Sequence, residues 1–123
     1  MHQTTSLGTE FARALAAKDS AKLLDLLHPD IDFRGLTPNQ VWEASDRETL
    51  LSILLRNWFE DNDEIGALEA VESDVVVDRE RVGYRFSVSN RDGSFLVEQQ
   101  AYLADRDGQI GWMRVVCSGF RPA

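Results

Sequence analysis

The sequence is poor in the residues that build covalent or metal-based scaffolds: one cysteine, Cys117, two histidines, His2 and His28, and three prolines in 123 residues. A single cysteine closes no intramolecular disulfide, which excludes a disulfide-stapled secreted scaffold. One cysteine and two histidines so placed make no zinc site of ordinary spacing. His2 stands at the N-terminus, and His28, between a helix pattern and Pro29, is expected to cap the last helical carbonyls. No apolar run approaches the roughly 18 residues of a membrane helix. Residues 1–18 carry no basic segment followed by an apolar block. Basic charge is also scarce, with 13 Lys and Arg against 21 Asp and Glu and a net charge of −8. Such a surface repels phosphate, so neither nucleic acid nor a membrane is an expected partner. No basic patch interleaved with aromatics and no glycine-rich phosphate loop is present. These absences together imply a cytoplasmic protein with no metal and no cofactor.

What is present suffices for one domain over residues 1–123, since 43% of the residues are hydrophobic. Leu7, Phe11, Ala14 and Leu15 share one helical face. Asp19 caps a second helix carrying Leu23, Leu24, Leu26 and Leu27, which Pro29 ends. Residues 31–36 alternate as a short strand, and 37–44 read as an irregular loop holding Pro38 and Trp42. Ser45 and Glu48 form a capping box. The helix it opens carries a stripe of Leu50, Leu51, Leu54, Leu55 and Trp58, and the acidic run 60–63 follows as loop. From Ile65 the period changes to two. Strands are predicted over about 66–77, 81–90, 94–105 and 109–119, with turns at Asp92-Gly93 and Asp107-Gly108. Helices followed by a strand meander predict an α+β fold: three N-terminal helices packed in a curved, mainly antiparallel sheet.

Alternation assigns Val82, Tyr84, Phe86 and Val88 to the helix-facing side. In the last strand Met113, Val115 and Cys117 share one face with Gly111, while Ile110, Trp112, Arg114 and Val116 share the other. Both faces are partly apolar, which suggests a homodimer through the outer one, with Arg85 and Arg114 near the contact beside Gln99 and Trp112.

The helix pattern, the "LLHPDIDF" step into a short strand, the third helix and the four-strand meander resemble the nuclear transport factor 2-like superfamily, which includes the SnoaL-like and ketosteroid-isomerase-like proteins. "DGQIGWMRVVCSGFRP" (107–122) is similar to the closing strand of bacterial members, in an actinobacterial-type form ending CSGFRP. The resemblance implies a cone-shaped fold, an apolar cavity in its mouth and a sheet-to-sheet dimer, and leaves the function open. The "FARALAAKDSAKLLDLL" run aligns with the first helices of the ketosteroid isomerases. Their oxyanion-donating tyrosine falls on Phe11, their general-base aspartate on Gly35 and their second oxyanion donor on Gln100. Two of the three roles are empty, which excludes that chemistry.

The same alignment implies that Gln100 faces the cavity, and with it Leu96, Glu98 and Tyr102. Glu98 is then the one acid inside the cone, a candidate acid–base, with Gln100 as polariser. Tyr84, Phe86, Tyr102, Met113 and Cys117 line the pocket, with Trp58 on the core stripe and Trp42 as wall or lid at the mouth. Cys117 lacks a cationic helper and reads as an inert buried thiol. Asp61, Asp63, Gly66 and Glu72 partly mimic a calcium loop, but Ile65 offers no side-chain oxygen where one is needed. Two readings stay open: binding of a small apolar or amphipathic molecule, and a cofactor-free cyclase, isomerase or dehydratase using Glu98.

Overall fold

In a computed structural model, which describes residues 6–123, the chain opens with two short helices. His2 lies outside the described residues. Helix α1 (Leu7–Ala16) starts at Ser6, whose hydroxyl accepts from the Thr9 amide, and buries Phe11, Ala12, Ala14 and Leu15. Helix α2 (Ser20–Leu26) starts at Asp19, whose carboxylate accepts from Lys22 N at 3.1 Å. The chain then enters strand β1 (Leu27–Thr37) without a loop, so Pro29 sits within a strand. His28 does not cap carbonyls; its Nδ1 accepts from the Asp30 amide at 3.0 Å.

Residues 37–44 are not irregular. Strand β2 (Gln40–Ala44) folds back antiparallel on β1, with Thr37 opposite Gln40 and Asn39 at φ +74° in the turn. Helix α3 (Arg47–Ser52) is capped by Asp46 rather than Ser45, because the Asp46 carboxylate reaches Thr49 N at 2.7 Å. That hydrogen bond holds the Asp46 carboxyl below its usual range. The helix continues as a wider π-helical turn, Ile53–Trp58, closed by Phe59 N bonding Leu54 O. The extra residue in that turn rotates the stripe. Ile53, Trp58 and Phe59 are buried beside Leu50 and Leu54, whereas Leu51 and Leu55 are half-buried.

Strands β3 (Glu64–Val76), β4 (Arg79–Asn90), β5 (Gly93–Arg106) and β6 (Gln109–Cys117) form the meander. A two-residue β7 (Arg121–Pro122) pairs with β5. The sheet order is β2-β1-β6-β5-β4-β3; β1 and β6 run parallel and the other neighbours antiparallel. The helices cover one face of this sheet. Phe11, Phe33, Phe59 and Phe86 are fully buried between the layers, each contributing about 1.5–3 kcal/mol by leaving water. No helix is long and apolar enough to cross a membrane among the described residues.

The inner face differs from expectation in one strand. Val97, Gln99, Ala101 and Leu103 of β5 point inward and are buried, while Glu98 and Gln100 are exposed and Tyr102 is half-buried on the outer face. The β4–β5 ladder sets this face by pairing inward Tyr84 with Gln99, and a β-bulge fits β6 to it. Ala104 and Asp105 of β5 face Trp112 and Ile110 of β6, which leaves Gly111 as the extra residue. A Cβ at Gly111 would lie 2.4 Å from Cβ of Arg106, so only glycine fits there. The bulge also puts Ile110, expected outside, into the core with Met113.

Candidate functional site

The interior of the cone is packed. Tyr84 stacks obliquely on Phe86 (5.3 Å between ring centroids) and edge-on against Phe11 (6.4 Å), and Phe86 meets Phe59 at 5.8 Å. Tyr84, Phe86 and Met113 therefore belong to the core beneath the cavity and do not wall it. Open space remains at the mouth, in a cavity of about 360 Å³ to which Trp42, Trp58 and Cys117 all contribute.

Each wall has a local cause. Trp42 is carried by β2 and fixed by its indole N–H, which donates to Thr37 Oγ1 at 2.8 Å. The π-helical turn presents Trp58, and the two indoles stand nearly perpendicular, 6.3 Å apart with an interplanar angle of 85°. The benzene ring of Trp58 occupies the space over Gly35, where a Cβ would lie 2.8 Å from Cη2. The position that aligned with a catalytic aspartate is thus covered by an indole. Gly119, at φ +74°, turns the chain so that Phe120 packs against Phe59 at 6.0 Å.

Two polar groups of this site were not legible from the strand pattern. Asp63, read as part of an acidic loop, is 6% exposed and lines the cavity. Its Oδ2 accepts from Glu60 N at 2.9 Å and its Oδ1 from Asn90 Nδ2 at 2.8 Å. Lys18 binds the backbone carbonyls of Glu60 and Asp63, which holds this loop to the turn after α1. Gln99, expected outside, lies in the core between Tyr84 and Cys117. It accepts the Tyr84 hydroxyl proton at 2.6 Å and donates from Nε2 to Cys117 Sγ at 3.3 Å. Cys117 Sγ also accepts from Gly119 N at 3.4 Å. Burial, and then the neighbouring Cys117, raise the Tyr84 phenol well above its ordinary pKa. Among the described residues Nε1 of Trp58 is sealed from solvent and has no hydrogen-bond partner. An unmet buried N–H carries its full desolvation cost unless an acceptor arrives.

Glu98, Gln100 and Tyr102 lie elsewhere, around an open depression of about 390 Å³ on the outer face of the sheet. The Glu98 carboxylate is solvent-exposed and sits 3.5 Å from Arg85 Nη1. Its expected place inside the cone is overturned by the β4–β5 register, which sets it opposite Arg85 on the outer face. A wider cleft of about 900 Å³ runs outside the cone between α2 and α3, but exposed Glu48, Arg56 and Asp61 form its walls.

No protein-family model matches the sequence, and no curated protein does. Solved structures do match in shape. A candidate isomerase from Rhodopseudomonas palustris superposes with a TM-score of 0.75 at 15% identity, covering 95% of this chain and 93% of that one. A candidate polyketide cyclase from Xanthomonas campestris gives 0.70 at 18% identity, covering 89% and 86%. A protein of ketosteroid isomerase-like fold from Catenulispora acidiphila, solved in complex with trimethylamine, gives 0.67 at 15% identity, covering 94% and 88%. At these identities the likeness is one of fold.

Proposed function

Since the chain has the nuclear transport factor 2-like cone fold, we propose that it binds a small molecule in the mouth cavity beneath Trp42 and Trp58, as a homodimer joined through the outer sheet face. The observation that carries the first part is the cavity of about 360 Å³ at the mouth, lined by Trp42, Trp58, Phe59 and Phe120. That volume is within the usual range of ligand pockets. The trimethylamine bound to the Catenulispora acidiphila protein supports a small-molecule role for this fold.

An enzymatic reading draws on the isomerase and cyclase neighbours. It loses its acid here, because Glu98 is outside the cone. Asp63 is the buried carboxylate on the wall, and both of its oxygens are engaged by protein donors. A carboxylate held in that way orients a ligand or a loop more readily than it exchanges a proton.

Thermal shift against a panel of apolar and amphipathic small molecules tests the binding reading, using wild type, Trp58→Phe and Gln100→Leu. Shifts weakened in Trp58→Phe and kept in Gln100→Leu support the mouth cavity. Shifts kept in Trp58→Phe but lost in Gln100→Leu would move the site to the outer depression and contradict it.

A further inference from the structure

The lining of the mouth cavity selects a charge. Its aromatic rings are Trp42, Trp58, Phe59 and Phe120, and its charged side chains are Glu60 and Asp63, both acidic. Among the described residues no lysine or arginine lines it. Among the described residues Asp63 has no ion-pair partner. The nearby ammonium of Lys18 is bound to backbone carbonyls instead. With Lys18 held on those carbonyls, the buried carboxylate makes no direct ion pair, and a cation in the cavity would complete one. The aromatic rings of the lining are the partners such a cation needs, and tryptophan is the strongest of them. The net charge of −8 raises the local concentration of cations around the mouth.

Resting on the reading of this cavity as the ligand site, we propose that its ligand is a small alkylammonium cation. The ammonium lies against the aromatic lining of the cavity, with the Asp63 carboxylate as its counter-charge. The hydrogen bonds from Glu60 N and Asn90 Nδ2 fix the carboxylate without neutralising it.

Choline and its neutral carbon isostere dimethylbutanol have nearly the same shape and share the hydroxyl, so isothermal titration of both isolates the charge. Choline is expected to bind at least about tenfold tighter, a difference of about 1.4 kcal/mol. Asp63→Asn is expected to bring the ratio close to one, with the Asn90 amide turned to offer its oxygen. Trp42→Leu, at a half-buried position, is a second variant that does not disturb the loop, and it should weaken choline more than dimethylbutanol. Equal affinities in wild type, or binding of dimethylbutanol alone, overturn the cation inference and leave the small-molecule reading standing. Binding of neither also overturns it, while the wider panel still tests the cavity.

Discussion

The Tyr84 hydroxyl donates to Oε1 of Gln99 across 2.6 Å in the packed interior of the cone. Gln99 in turn donates to Cys117, so a chain of polar groups links the core to the cavity wall. Removing the middle member strands a buried hydroxyl. Gln99→Leu is expected to cost about 1–3 kcal/mol, and Tyr84→Phe with Gln99→Leu less than the sum of the single changes. Urea unfolding of the four proteins measures the coupling. Additive losses would mean that the two side chains do not share a bond.

The same phenol gives the fold an alkaline limit. Its pKa in the folded chain lies above the unfolded value of about 10. Its contribution is therefore complete below pH 10 and is lost as pH climbs towards the folded value, at up to about 1.4 kcal/mol per pH unit. The stability advantage of wild type over Tyr84→Phe should shrink above pH 10. Urea midpoints at pH 8, 10 and 11 check this, and a constant difference would contradict it.

Gly111 sets the register of the β5–β6 pair. Gly111→Ala places a methyl group 2.4 Å from Cβ of Arg106, and is expected to cost about 1–3 kcal/mol through backbone displacement. A loss under a few tenths, measured by thermal or urea unfolding, would show that the bulge yields freely.

That glycine also marks the limit of what the sequence disclosed. The helices, the four long strands and the turn at Asp107-Gly108 follow from periodicity and turn chemistry, which are local. So does the inward face of β4, where Val82, Tyr84, Phe86 and Val88 alternate with polar or small residues. The face of β5 is not local. Asn90 opposite Gly93 puts Gln99 opposite Tyr84. Counting back from the Asp107-Gly108 turn without a bulge would put Glu98, not Gln99, opposite Cys117. The extra residue at Gly111 reconciles the two hairpins. A glycine inside a strand is the available signal for a bulge, and Val97, Ala101 and Leu103 are the more apolar set. The family alignment placed Gln100 inward against both clues. Asp63 was illegible for a different reason: its burial depends on Lys18 and Asn90, which come from distant parts of the chain.

The proposed dimer face has a specific core. Val41, Leu36 and Val116 lie side by side across β2, β1 and β6, and they are 60%, 48% and 53% exposed. Val116→Glu places a charge in the middle of that row. Sedimentation is expected to give a dimer for wild type and a monomer for the variant, with the fold unchanged by circular dichroism. A monomeric wild type would contradict the dimer.

The central claim, that ligands enter the mouth of the cone beneath Trp42 and Trp58, is tested most directly by the indole N–H signals of the three tryptophans in a ¹H–¹⁵N spectrum. Trp112 serves as the internal control, since it lies on the outer face with the guanidinium groups of Arg79 and Arg114 each 4.5 Å from its ring. Titration with a compound that raises the melting temperature should move the Trp42 and Trp58 signals and leave Trp112 in place. Movement of Trp112 alone would contradict the account.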